Sequence, residues 1–88
     1  MDKLQFSKEA WEDFSSWLTE DKKTLNRILK LLEDIQRNGY RGIGKPERLS
    51  GNLSGYWSRR IDDDNRIVYR IQQDIIEIVQ CGSHYHDK

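Results

Sequence analysis

The acidic tetrapeptide Asp62-Asp63-Asp64-Asn65 constrains the fold most, because it lies between two alternating runs, residues 56–61 (YWSRRI) and 66–71 (RIVYRI). Alternation on both sides of a turn-forming cluster reads as a β-hairpin. The alternation also selects the register. With Arg60 opposite Arg66, the residues Trp57, Ile61, Ile67, Tyr69 and Ile71 share one face, interrupted only by Arg59. Tyr56, Ser58, Arg60, Arg66, Val68 and Arg70 share the other. A slip of one residue would mix the two faces. The hairpin therefore predicts a sheet with one apolar face and one face carrying three guanidiniums. Planar guanidiniums fixed in place suit phosphate recognition, since each donates two parallel hydrogen bonds. Solubility is the competing reason for arginines on a surface strand.

The hairpin sits in a segment, residues 44–71, that also holds the single proline and six of the fifteen basic residues. Net charge is zero, but its distribution is uneven: residues 1–36 carry 6 basic and 8 acidic groups, 37–70 carry 8 and 4, and 71–88 carry 1 and 3. Positive charge concentrated in the middle suits a local polyanion site better than a long track along a nucleic acid. Eighty-eight residues allow one small domain, 1–88, with a thin core. A single cysteine, Cys81, cannot form an internal disulfide, which fits a reducing cytoplasm. Cys81 reads as a small buried hydrophobe at the end of a strand. The N-terminal MDKLQFSKEA has no apolar h-region, so no signal peptide is expected, and no apolar run is long enough to span a membrane.

Along the chain, residues 3–6 form a short alternating run, expected as an edge strand. Ser7 is placed to cap a first helix, with Ala10, Trp11, Phe14, Trp17 and Leu18 as its apolar stripe. Trp11 and Trp17 are expected as core anchors. Thr19, with Glu20 and Asp21, is expected to open a second helix with the seam Leu25, Ile28, Leu29, Leu32 and Ile35, ended by Asn38-Gly39. Its other face, Lys22, Lys23, Asn26, Lys30, Glu33 and Arg37, reads as solvated surface. A linker with Gly39, Gly42, Gly44 and Pro46 leads to the hairpin. Pro46 fixes its own φ and restricts Lys45, so Glu47 is presented from a stiff turn at the hairpin edge. Residues 75–81 (IIEIVQC) are too continuously apolar for a half-exposed strand and are expected to lie centrally, buried on both faces. The expected fold is α+β: two N-terminal helices on one face of a mostly antiparallel sheet of four to five strands.

Phosphate-loop, dinucleotide-loop, CxxC and nucleophile-elbow motifs do not occur. His84 and His86, one residue apart, could bind a metal but have no obvious third ligand nearby in sequence, so neither a metal nor a cofactor is expected. What remains is Glu47, Arg60, Arg66, and His84 with Tyr85. A carboxylate can accept a proton, a histidine can deliver one, and guanidiniums can stabilise a pentacoordinate phosphorane. RNA supplies its own nucleophile in the 2′-hydroxyl.

The runs GKPERL, NLSGYWSRRI and DDDNRIVYRI and the ending CGSHYH resemble the YoeB/Txe family of type II toxins within the RelE-like superfamily, over essentially the whole chain. The resemblance implies a RelE-like, microbial-RNase-like fold and a ribosome-dependent mRNA endonuclease. Such an enzyme enters the A site of the 70S ribosome and cuts the codon there, leaving a cyclic phosphate and needing no metal. It implies Glu47 as general base, His84 as general acid beside Tyr85, and Arg60 and Arg66 as catalytic arginines. Lys45, Arg59 and Arg70 are expected to contact the substrate. A cognate antitoxin of the Phd/YefM type is the implied partner, and homodimer formation is left open. Two departures are visible. Ser50 stands where some members have lysine, and three residues follow Tyr85, so no terminal carboxylate falls on that tyrosine. Two other functions compete: a gyrase-inhibiting toxin of the same fold that acts by binding, and a non-catalytic RNA-binding module.

Overall fold

The computed structural model describes residues 3–83, and its elements follow from local chemistry. β1 (Lys3–Phe6) runs into Ser7, which caps α1 (Lys8–Glu20): its Oγ accepts the Ala10 N–H at 3.1 Å. α2 (Lys22–Asn38) follows after one residue, Asp21. The Asp21 N–H donates to the Trp17 carbonyl at 3.1 Å, closing α1. Its carboxylate accepts the N–H groups of Lys23 and Thr24 at 3.0 and 3.2 Å and the Thr24 hydroxyl at 2.8 Å, opening α2. The cap is thus Asp21 and not Thr19, because a carboxylate serves several donors at once and carries the charge that a helix N-terminus favours. These bonds, the Thr24 hydroxyl foremost, hold the Asp21 carboxyl below its ordinary pKa. Gly39 ends α2 at φ 71°, a left-handed conformation that glycine adopts without steric cost.

Among the described residues, five strands form one sheet in the order β1-β5-β4-β3-β2, with β2 (Glu47–Arg48), β3 (Trp57–Arg60), β4 (Arg66–Gln72) and β5 (Ile75–Gly82). β1 pairs parallel to β5 and the other pairs are antiparallel. The hairpin register places Arg60 opposite Arg66 and Trp57 opposite Tyr69, as the alternation requires. Residues 75–81 lie between two strands, as their composition implied, but they are not buried on both faces: Ile75, Glu77 and Val79 are only half-buried, because the helices cover one side of the sheet. The pairing of β5 with β4 shifts at Val68/Tyr69, leaving Val79 as an extra residue between Gln80 and Ile78.

Both helices pack on the apolar face. Ala10 of α1 and Ile28, Leu31, Leu32 and Ile35 of α2 join Ile61, Ile67, Tyr69, Ile76, Ile78 and Cys81 in one core, with Phe14, Trp17, Trp57 and Ile71 packed against it. Each large aliphatic side chain so buried contributes about 1.5–3 kcal/mol.

Two helical faces differ from the sequence expectation. In α2, Leu31 is buried and Leu29 is 47% exposed. Leu31 lies about 60° around the helix from Ile28 and Leu29 about 100° on the other side. The sheet and the loop at Gly44, where an added Cβ would fall 2.7 Å from Leu31 Cδ2, lie on the Leu31 side. In α1, Trp11 is 55% and Leu18 54% exposed. Both project about 80–100° from Ala10, beyond the contact with the sheet. Trp11 instead covers Phe6 and Phe14 from outside, with ring centroids 5.7 and 5.8 Å apart. Trp17 is the anchor that was expected, and its Nε1–H donates to the Cys81 carbonyl at 2.8 Å.

Candidate active site

The helix-free face of the sheet carries the chemistry. Cross-strand partners share a face, so β2, β3, β4 and β5 line up Glu47, Ser58, Val68 and Gln80 in one row. The next row holds Arg60, Arg66 and Gly82. Glu47 and Arg66 meet across this face, with Oε1 3.8 Å from Nη1. The Glu47 side chain is 64% exposed and that of Arg66 29%. An exposed pair at that separation contributes little to stability, so both groups remain available to a third. Arg60 sits half-buried beside Arg66, and its Nε has no hydrogen-bond partner among the described residues. Ser58 Oγ, in the floor of the same face, is likewise buried without a partner among the described residues. Tyr56, Leu53, Val68 and Val79 line an adjoining groove of about 310 Å³.

Arg70 does not join this group. It is four residues along β4 from Arg66, about 13 Å away at strand spacing, and its charge is spent on Glu77. The Arg70 Nε donates to the Glu77 carboxylate, and the guanidinium stacks 5.0 Å above the Tyr56 ring. Lys45 is exposed at the entry to β2 with φ 51°, a left-handed conformation that non-glycine residues seldom adopt and that its position before Pro46 did not foretell.

Arg59 cannot contact a substrate, contrary to the expectation from sequence. It is fully buried on the helix side of β3. All five of its N–H groups are used within the protein. Nε donates to the Tyr69 hydroxyl at 3.0 Å, Nη1 to Asp34 Oδ2 at 2.6 Å and the Ile43 carbonyl at 2.8 Å, and Nη2 to the carbonyls of Gly39 and Arg41 at 2.8 and 2.6 Å. Asp34 Oδ2 also accepts the Ile43 N–H at 3.1 Å, and Asn38 binds its other oxygen at 2.8 Å. The Arg59 hydrogen bond, above all, keeps the Asp34 carboxyl below its ordinary pKa. Burial raises the pKa of Tyr69 despite that same guanidinium. Asp34 and Tyr69 were not singled out from sequence. The signal was there: an arginine on an otherwise apolar strand face must bring its own partners inside.

Cys81 is buried, and desolvation pushes its thiol up to about 12, so it is a packing residue and no nucleophile at neutral pH. His84 and Tyr85 lie outside the described residues. Among those described, no cluster of three potential metal ligands occurs, and no helix is long and apolar enough to cross a membrane.

A family profile for the YoeB-like toxin of bacterial type II toxin–antitoxin systems matches residues 6–85. This chain belongs to that family. It is 52% identical over 85 residues to the Toxin YoeB of Mycobacterium bovis, covering 97% of this chain and all of that protein. Among solved structures it is similar to the Staphylococcus aureus heterotetrameric YoeB–YefM toxin–antitoxin complex, at 45% identity and TM-score 0.88, with 94% of this chain and 97% of that chain covered. A YoeB dimer from the same organism superposes with TM-score 0.87 at 45% identity and the same coverage. The YoeB-like toxin is thus an α+β protein of a type II toxin–antitoxin system, with Glu47, Arg60 and Arg66 gathered on the face its helices leave open.

Proposed function

We propose that this YoeB-like toxin is an endoribonuclease that cuts mRNA in the ribosomal A site, without a metal, by attack of the 2′-hydroxyl on its own phosphodiester. The observation that carries the reading is the meeting of Glu47 and Arg66 at 3.8 Å on an open sheet face, with Arg60 paired across from Arg66. Glu47 takes the 2′-hydroxyl proton as the 2′-oxygen bonds to phosphorus. Arg66 and Arg60 bind the non-bridging oxygens and stabilise the added negative charge of the phosphorane. The bond to the 5′-oxygen then breaks, that oxygen takes a proton from His84, and a 2′,3′-cyclic phosphate remains. Tyr85 completes the site, and Lys45, exposed at the entry to β2, contacts the RNA backbone outside it. The general base and the general acid each typically contribute about 10²–10⁴-fold in rate.

The partners follow from the relatives. An antitoxin of the YefM type is the cognate inhibitor, supported by the Staphylococcus aureus complex, and a homodimer is supported by the dimer from that organism. The ribosome is the platform on which the substrate is presented, because a chain of zero net charge gains little from non-specific attraction to RNA.

Incubation of the purified toxin with translating 70S ribosomes and mapping of mRNA 3′ ends tests the reading. Discrete cuts within the A-site codon ending in cyclic phosphate, unchanged by a chelator, are expected. Intact mRNA beside gyrase-dependent DNA breaks would replace the nuclease with a gyrase-binding toxin, and intact mRNA alone would leave a binding module.

A further inference from the structure

We propose that Asp34, although it lies in α2 on the far side of the sheet from the open face, is a positioning residue for Glu47. This rests on Glu47 being the general base. The link is a continuous set of contacts through the loop between α2 and β2. Asp34 Oδ2 binds both Arg59 Nη1 at 2.6 Å and the Ile43 N–H at 3.1 Å. Arg59 in turn holds the carbonyls of residues 39, 41 and 43, so one buried guanidinium grips every second residue of the loop. The next carbonyl, that of Gly44, accepts the Arg60 N–H at 2.6 Å, which seats the loop against β3. Three residues later Glu47 pairs with Ser58 in a strand of only two residues.

So short an edge strand cannot fix its own place. Residues 47–48 pair with only Ser58 and Trp57 of β3, the Leu49 N–H adds a bond to the Tyr56 carbonyl at 2.9 Å beyond them, and Lys45 just before them is held at φ 51°. Such a conformation persists only where its surroundings impose it. The surroundings here are the Asp34–Arg59 clamp. Gly42 shows how closely the loop is fitted: at φ 126° its missing Cβ would run into the Asp34 carboxylate. A carboxylate that must reach a 2′-hydroxyl within hydrogen-bond distance tolerates little drift, and a displacement of about 1 Å can cost on the order of a hundredfold in rate.

The test is a double-mutant cycle in single-turnover cleavage of ribosome-bound mRNA, with Asp34→Asn and Gly42→Ala each made alone and with Glu47→Gln. Gly42→Ala disturbs the loop without removing the charge that faces Arg59, so it serves if Asp34→Asn folds poorly. Each variant is expected to lower the maximal rate by about 10- to 100-fold, with the ribosome concentration giving half-maximal rate unchanged. Amide exchange should quicken in residues 39–48. In the Glu47→Gln background the same changes should lower the rate by no more than about twofold, because the group they position is already gone. Equal losses in both backgrounds, or a loss confined to half-maximal concentration, would overturn the positioning role while leaving Glu47 as base. Wild-type cleavage by Glu47→Gln would instead remove the base itself, and the proposal with it.

Discussion

Arg59→Lys, a charge-conserving change, should destabilise this protein severely. Arg59 donates five hydrogen bonds from a fully buried side chain, spread over Tyr69, Asp34 and three carbonyls. An ammonium has three donors on one atom and cannot span acceptors arranged around a planar fork. At least two acceptors therefore lose their bond to residue 59, and the carbonyls of Arg41 and Ile43 have no other hydrogen-bond donor among the described residues. Each lost bond costs about 0.5–1.5 kcal/mol net, and an acceptor left dry costs about 1–3 kcal/mol, so a loss of about 2–4 kcal/mol is expected. An 88-residue domain has about 4–13 kcal/mol in total. At about 4–8 °C per kcal/mol the melting temperature should fall by roughly 10–30 °C. Arg59→Met, which also strands the Asp34 carboxylate, should cost about 3–5 kcal/mol or more. Urea unfolding followed by circular dichroism measures both, with Arg37→Lys as the control, since the Arg37 side chain is 74% exposed and its ion pair with Glu33 is on the surface. If Arg59→Lys lies within about 1 kcal/mol of wild type, the clamp contributes nothing that a point charge does not, and the reasoning fails.

Arg66→Ala should lower ribosome-dependent cleavage by about a hundredfold or more while shifting unfolding by less than about 1 kcal/mol; a rate within about threefold of wild type would remove Arg66 from the site. Glu47→Gln and His84→Gln should each slow cleavage, but sulfur in place of the 5′-bridging oxygen, which leaves without a proton, should restore only the His84 variant. Rescue of both or of neither would undo the assignment of base and acid. Asp34 has its pKa lowered in the folded state, first by the Arg59 hydrogen bond, so its contribution is fully present above the unfolded value of about 3.9 and is lost as pH falls through the lower folded value. Acid unfolding monitored below about pH 4 should therefore be less steep in Asp34→Asn than in wild type, and parallel curves would refute the linkage.

Much of the molecule could be read before it was folded. Period-two alternation in 56–61 and 66–71 determined the hairpin, its register, and the shared face of Arg60 and Arg66, because a slip of one residue exposes the whole apolar set. Ser7 announced α1 through its hydroxyl, and the run IIEIVQC announced a strand with neighbours on both sides. Pro46 marked where Glu47 enters the edge of the sheet. These are local properties, and neighbouring residues alone enforce them.

Only the tertiary structure decided which side of each helix meets the sheet. Leu29 and Leu31 are equally apolar and lie about 160° apart around α2, and the position of the Gly44 loop buries the second. It likewise left Trp11 outside the core and gave Arg70 to Glu77. The largest revision is Arg59. Its neighbour Arg60 has the same side chain and faces the open side, and pattern alone told the two apart by face but not by purpose. A guanidinium on the apolar side is tolerable only if every donor finds an acceptor. Those acceptors come from residues 34, 39, 41, 43 and 69, which no spacing rule groups together. Long-range satisfaction of a buried charge is a property of the closed fold, and it turns an expected RNA contact into the clamp of the loop that carries Glu47.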